Sequence, residues 1–150
     1  GKLKSNPTVY GFENIITLIC YEILFTSEIV KRLSKNSNLL INITNDAWFG
    51  RTIGPYQHLA LAKIKAVEFG LPLARVANTG ISAYVSPHGE IIGSIPLDIK
   101  GVKTFDLIPA LDSTLYKIYG EYIFLVLILI LLIINTLHNI NFKEEKLNEK

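Results

Sequence analysis

The chain has 150 residues, a net charge of +2, 49% hydrophobic residues and one cysteine. A single cysteine excludes an intramolecular disulfide, and basic residues that are scattered one at a time offer no stripe for binding nucleic acid. The three histidines, at positions 58, 88 and 138, lie thirty or more residues apart. The sequence therefore predicts neither a metal site nor a cofactor.

The first half of the chain predicts alternating strands and helices. Residues 15–19 form a continuous apolar and β-branched run, which is typical of a strand buried on both faces. A short helix with one apolar side is predicted over residues 27–35. A second strand of the buried type follows over residues 39–44, and residues 45–50 begin a loop.

A longer helix is predicted to begin at Gly54 and Pro55 and to end at Gly70. Three short strands follow it, over residues 74–78, 82–86 and 91–95. Alternating strands and helices followed by further strands indicate a mixed α/β layer protein. This pattern belongs to a globular part over residues 1–115, of which residues 1–10 are predicted to form a loop.

The C-terminal segment differs in composition. Residues 123–134 are twelve consecutive apolar residues, which span about 18 Å as a helix. Residues 118–137 supply the roughly 20 residues that a hydrocarbon core of about 30 Å requires, and three tyrosines cluster at the first end. The sequence predicts a transmembrane helix over residues 116–138 and a polar tail over residues 139–150. Lysines flank both ends and leave the orientation open.

Cys20 is the candidate nucleophile. It follows a buried strand and precedes a turn and a helix, so its thiol is expected at the edge of a sheet. The backbone N–H groups of the turn can hold an oxyanion there. On its position alone, a lone cysteine at this point can equally be a small buried hydrophobic residue.

The neighbouring candidates also have structural alternatives. Tyr21 can donate its backbone N–H to an oxyanion or only pack its ring. Glu22 can act in the site or be a solvated charge at the entrance of a helix. Trp48 and Phe49 form an exposed aromatic pair suited to acyl chains, or they anchor a loop. Asp46 is read as a turn residue, and His58, early in a helix, as a structural residue.

Five segments in order resemble the carbon-nitrogen hydrolase (nitrilase) superfamily. They read ICYEI at 19–23, NDAWFG at 45–50, GPYQH at 54–58, ARVANTGISA at 74–83 and PHGEI at 87–91. Within the superfamily they are similar to its bacterial membrane branch, the apolipoprotein N-acyltransferases, over residues 14–95. The predicted C-terminal membrane helix also fits this branch.

The resemblance implies an αββα sandwich and a Glu-Lys-Cys triad in which Cys20 is the nucleophile. The cysteine takes a fatty acyl group from a phospholipid and passes it to the N-terminal amine of a diacylglyceryl lipoprotein. Tyr21 and Glu22 match the two active-site residues after the nucleophile, and Trp48 matches a tryptophan near the lipid entrance. The resemblance places the enzyme in the bacterial inner membrane, with the catalytic part facing the periplasm.

The glutamate and lysine of this triad lie upstream of the cysteine in the family. Lys2, Lys4 and Glu13 lack the strand context that the family gives them, so the chain is predicted to be the C-terminal part of a longer enzyme. We expect it to be inactive alone unless a separate upstream piece completes the domain. Two other readings remain open, an amide- or nitrile-hydrolysing enzyme of the superfamily and a non-catalytic fragment of a split or decayed gene.

Overall fold

A computed structural model describes the backbone of residues 15–148 and the side chains of residues 15–138. The chain divides into two compact units, residues 1–114 and residues 115–150. The loop predicted over residues 1–10 lies outside the described residues, as do Lys2, Lys4 and Glu13.

Five strands form one mixed sheet in the first unit. They are β1 (Ile15–Ile19), β2 (Leu39–Asn45), β3 (Leu73–Asn78), β4 (Ser82–Val85) and β5 (Ile91–Ile95). The order of the strands in the sheet is their order in the chain. The first three strands run parallel, and β4 and β5 are antiparallel to their neighbours. All five predicted strands are present, and the α/β class is confirmed.

Helices connect the parallel strands. The connections contain a 3-10 helix (Cys20–Leu24) and α1 (Thr26–Val30), then a second 3-10 helix (Ala47–Phe49) and α2 (Gly54–Phe69). As predicted, α2 has Pro55 in its first turn and ends where Gly70 turns left-handed, with φ +63°. The helix predicted over residues 27–35 is shorter, because the Ser37 hydroxyl accepts the Ser34 N–H and competes with helical hydrogen bonding.

One face of the sheet is covered by helices, and the other is open near the carboxyl ends of the parallel strands. The covered face packs beneath α2, which buries Leu59, Ala62, Ala66 and Phe69. On the opposite face Ile19, Ile43 and Val76 pair in one row across β1, β2 and β3 and are 61%, 52% and 59% exposed. The prediction that β1 is buried on both faces therefore holds only at its start, where Ile15 is buried with Leu39 and Tyr84 on this second face. It is wrong for Thr17 and Ile19, because no described helix covers that face at the carboxyl end of the strand.

The expected αββα sandwich is present only in part. The described residues contain one mixed sheet with a helical layer on one face, which is two layers of the four expected. The open aliphatic row is the exposed apolar sheet surface that a partial sandwich predicts.

The second unit contains α3 (Leu115–Tyr119) and α4 (Tyr122–Asn148). Between them Gly120 has φ +54°, a conformation that an α-helix cannot include. Among the residues that the structure describes, no helix is long and apolar enough to cross a membrane. Where the sequence predicted one helix over residues 116–138, the structure has two, with the turn at Gly120 between them. The side chains of the tail predicted at residues 139–150 lie outside the described residues.

Candidate active site

Cys20 lies where β1 ends and the chain turns into the first 3-10 helix. It is a free, partly exposed cysteine with φ +48°, in the left-handed region. For a residue other than glycine such a conformation costs of the order of 1–3 kcal/mol and persists only where the surroundings hold it. The turn places Cys20 at the carboxyl edge of the three parallel strands, the edge at which α/β proteins bind ligands.

The Glu22 side chain contacts the backbone of this turn. Its Oε2 accepts the backbone N–H of Ile19 at 2.9 Å, and its Oε1 lies 3.4 Å from a guanidinium nitrogen of Arg32. The carboxylate thus ties the last residue of β1 to the turn after α1 and restrains the position of Cys20. The sequence assigned Glu22 to the site, and the structure places it beside Cys20 with a visible role in the backbone turn.

Three rings meet next to Cys20. The Tyr21 ring stacks on His58, with centroids 5.2 Å apart and planes at 21°, and meets Phe49 edge-on at 6.1 Å. Phe49 also meets His58 edge-on at 6.0 Å. Of the two predicted lipid-contacting aromatics, only Phe49 is brought to the Cys20 turn, whereas Trp48 is 87% exposed.

A buried polar network lies beneath this aromatic cluster. Asp46 accepts from an Arg75 guanidinium nitrogen at 2.7 Å through Oδ2, and its Oδ1 lies 2.9 Å from His58 Nδ1. The same Arg75 nitrogen lies 3.1 Å from His58 Nδ1, and Thr44 Oγ1 donates to Asp46 at 3.2 Å. The side chains of Arg75 and Asp46 have no exposed surface. Because a carboxylate only accepts, His58 is assigned a proton on Nδ1.

The network reaches Cys20 through Asn42. The second terminal guanidinium nitrogen of Arg75 donates to Asn42 Oδ1. The Asn42 amide nitrogen donates to the backbone carbonyls of Leu18 and Cys20, at 3.2 Å each. A buried cation is thereby connected to the backbone of the candidate nucleophile through one amide side chain.

The electrostatics of the network follow from its burial. Loss of water lowers the pKa of His58, the positive charge of Arg75 lowers it further, and Asp46 opposes both. Burial likewise lowers the pKa of Arg75, and this is opposed by Asp46. His58 is therefore a neutral ring at neutral pH, which suits its stacking on Tyr21.

Sequence reasoning missed this network. Asp46 and His58 were read as a turn residue and a structural residue, and Asn42 and Arg75 were not singled out. One signal was available, because Asn42 and Arg75 each interrupt a strand of otherwise apolar or small residues. Buried strands tolerate such polar side chains only when they find partners.

A separate cavity of about 330 Å³ lies over β3, β4 and β5, beside Val76, Tyr84 and Phe105. None of the residues Cys20 to Glu22 lines it. It is therefore distinct from the Cys20 turn.

Comparison with known proteins agrees with this architecture. The family model described as carbon-nitrogen hydrolase matches residues 5–113. The chain belongs to the carbon-nitrogen hydrolase family.

The resemblance to apolipoprotein N-acyltransferases is confirmed as well. Proteins of that name are 40% identical over 121 residues in Bradyrhizobium diazoefficiens, 55% over 91 residues in Rhizobium etli and 38% over 119 residues in Haemophilus influenzae. The matches cover 81%, 61% and 79% of this chain but only 22%, 17% and 23% of the relatives. The chain thus spans about a fifth of the length of the curated relatives it matches.

Among solved structures, an amidase from Nesterenkonia sp. is 22% identical, with a TM-score of 0.48. The match covers 61% of this chain and 36% of that one.

Proposed function

We propose that this chain carries the acyl-accepting nucleophile of an apolipoprotein N-acyltransferase. The supporting observation is the placement of Cys20, a partly exposed thiol on a restrained left-handed turn at the carboxyl edge of parallel strands. A nucleophile must be exposed at such an edge and fixed in direction to attack a bound carbonyl. Similarity to proteins named apolipoprotein N-acyltransferase favours acyl transfer over other reactions of the family.

The proposed reaction has two steps. The Cys20 thiolate attacks the ester carbonyl of a phospholipid, and the tetrahedral intermediate collapses to a thioester as the lysophospholipid oxygen leaves and takes a proton. The N-terminal amine of an S-diacylglyceryl-cysteine lipoprotein then attacks the thioester carbonyl. The amine loses a proton, an amide forms and the Cys20 thiolate is released.

The residues around Cys20 take distinct roles in this proposal. The backbone N–H of Tyr21 belongs to the first turn of the 3-10 helix, where helical donors have no partner within the helix, and it is proposed to hold the oxyanion. Glu22 fixes the turn through the Ile19 N–H. Phe49, which contacts Tyr21, and Trp48, which is exposed, are proposed to contact the acyl chain.

The open sheet face is proposed to receive the rest of the domain. Ile19, Ile43 and Val76 form an aliphatic row next to Cys20 on the face that no described helix covers. A second sheet packed there would complete the sandwich and would bring the glutamate and lysine implied by the resemblance towards Cys20. We propose that an upstream part of the same enzyme, on one chain or on a separate piece, supplies this sheet and that the chain is inactive without it.

The bilayer is the proposed working environment. The apolar side chains at positions 124–134 of α4 are between 37% and 65% exposed, which is an arrangement suited to contact with lipid. We propose that the protein works at the bacterial inner membrane with its residues 1–115 on the periplasmic side, where phospholipid and diacylglyceryl lipoprotein meet. Recovery of the chain away from the membrane fraction of cells would contradict this.

A chimera tests the proposed activity. Residues 15–113 replace the matching part of the Haemophilus influenzae relative, and the purified protein is given phospholipid vesicles and a diacylglyceryl-cysteine peptide. We expect an N-acylated peptide by mass spectrometry and a trapped thioester on Cys20 when the peptide is omitted. A Cys20→Ala chimera is the matched control, and it should lose both products, with a rate loss of about 10⁴-fold or more.

Other products would favour the alternatives. Release of free fatty acid or hydrolysis of amides, without peptide acylation, would indicate that water is the acceptor and that the protein is a hydrolase. A folded chimera that forms no Cys20 thioester and no product would support the non-catalytic reading. Thioester formation by the unfused 150-residue chain would show that no further part of the domain is needed.

A further inference from the structure

The backbone of Cys20 needs a restraint. Its φ of +48° lies in the left-handed region, which residues with a side chain disfavour. Neither neighbour of Cys20 in the chain is a glycine that could take up the turn instead. A cysteine in this position relaxes towards an extended or right-handed conformation unless something holds its carbonyl or its neighbours. The restraint must lie in side chains that contact the turn.

Asn42 meets this requirement. It is fully buried on β2, directly opposite Leu18 in the register of the parallel strands. Its amide nitrogen donates to the carbonyl of Leu18 within β1 and to the carbonyl of Cys20 beyond it. One side chain therefore joins the regular part of the strand to the turn residue that departs from it.

Arg75 determines which way the Asn42 amide faces. A guanidinium has donors only, so the group that it contacts must be the amide oxygen, and the amide nitrogen must face the two carbonyls. Arg75 is itself held by Asp46 at 2.7 Å, and neither side chain has exposed surface. The orientation of the amide is thus fixed by a buried ion pair instead of being free to flip.

We infer that Asn42, oriented by Arg75, is a positioning residue that holds Cys20 in its left-handed conformation and so keeps the thiol directed out of the sheet edge. The inference rests on the proposed function only in treating Cys20 as the nucleophile. Asn42 acts through the backbone and does not touch the reacting atoms.

The test uses the single cysteine of the full chain. Protein labelled with ¹³C-cysteine gives one pair of Cα and Cβ resonances, whose chemical shifts report the backbone conformation of Cys20 without any acyl donor. Asn42→Asp keeps an oxygen for Arg75 but removes both donated hydrogen bonds. We expect the Cys20 resonances to move away from their wild-type positions or to split into two sets.

Asn45→Asp is the matched control, because it makes the same chemical change at an exposed position of the same strand, where Asn45 Oδ1 only accepts from Ala47 N–H and the Asn78 amide. It should leave the Cys20 resonances in place. Since a carboxylate at position 42 can prevent folding, Asn42→Ala is the second variant and should displace the same resonances. Folded Asn42 variants with wild-type Cys20 resonances would overturn the inference, and that result would leave the chimera test of acyl transfer unaffected.

Discussion

Near the carboxyl ends of β2 and β3, the two faces of the sheet reverse the usual distribution of polar and apolar side chains. Adjacent residues on each strand point to opposite faces, in the pairs Leu18 and Ile19, Asn42 and Ile43, and Arg75 and Val76. The covered face buries an amide and a guanidinium, whereas the open face exposes three aliphatic side chains. In the buried polar row the Asn42 amide and both terminal nitrogens of Arg75 are hydrogen-bonded, and only Arg75 Nε has no partner among the described residues. The exposed aliphatic row has no described layer packed on it.

The two faces therefore have different roles. A buried charge is retained only when its hydrogen bonds offset the loss of water, and its partners are then fixed in direction. The covered face therefore supplies rigidity under Cys20. Aliphatic side chains in register have no directional bonds, so the open face offers area for association with another apolar layer.

Breaking the covered face should have the largest effect. Arg75→Leu fills a similar space but leaves Asp46 buried without its cation and Asn42 without its donor. We expect the free energy of unfolding to fall by about 3–5 kcal/mol, measured by urea denaturation. The neighbouring change Val76→Leu on the open face should alter it by less than about 0.5 kcal/mol. If both changes lowered the free energy of unfolding equally, the two faces would not differ in their contribution to stability.

Substitutions on the open face should lower the free energy of unfolding only when a second sheet packs on that face. In the 150-residue chain Ile43→Thr should change the free energy of unfolding by less than about 0.5 kcal/mol, because Ile43 is half exposed. In the chimera described above the same change should cost about 1–3 kcal/mol, because a hydroxyl then replaces apolar contacts in a buried layer. Leu18→Ala is the control, and it should destabilise both proteins to a similar degree. If Ile43→Thr leaves the free energy of unfolding of the chimera unchanged, no second layer packs on that face.

The smallest expected effect is the contribution of His58 to the pH dependence of the free energy of unfolding. Its pKa is lowered in the folded protein, chiefly by burial and then by Arg75, so the unfolded chain binds the proton at higher pH. The free energy of unfolding should therefore decrease as the pH falls below about 6.5 and continue to decrease down to the folded-state pKa. Tyr21, Asp46 and Arg75 are the charged or titratable side chains that contact the ring.

Unfolding curves at several pH values between 7.5 and 5, in this chain and in His58→Phe, check the effect. Phenylalanine keeps the stacking on Tyr21 and removes the titration, so the variant should lose that part of the slope. His88→Asn, at an exposed position, is the control for removing a histidine. An unchanged slope in His58→Phe would show that His58 does not titrate differently on folding.

The sequence predicted the elements well because strand and helix signals are local. Continuous apolar runs marked β1 and β2, and Pro55 and Gly70 marked the limits of α2. The burial of β1 was predicted wrongly at Thr17 and Ile19, since a run such as residues 15–19 looks the same whether the second face is covered along its whole length or only at Ile15. Apolarity likewise favoured one C-terminal helix, whereas the backbone at Gly120 produced two.

The candidate site was predicted only in part. Cys20, Tyr21, Glu22 and Phe49 do lie together, because they follow directly from strand ends. The network beneath them joins Asn42 and Arg75, which are 33 residues apart, through strand register that a sequence does not display. Which of these residues act in catalysis remains a prediction.

The strand order also has a consequence for synthesis. Because the sheet is arranged in chain order, each strand that leaves the ribosome finds its neighbour already made. Residues 15–78 contain β1 to β3 together with every member of the network under Cys20. The Cys20 turn can therefore be secured on the nascent chain, before the apolar C-terminal helix has been translated.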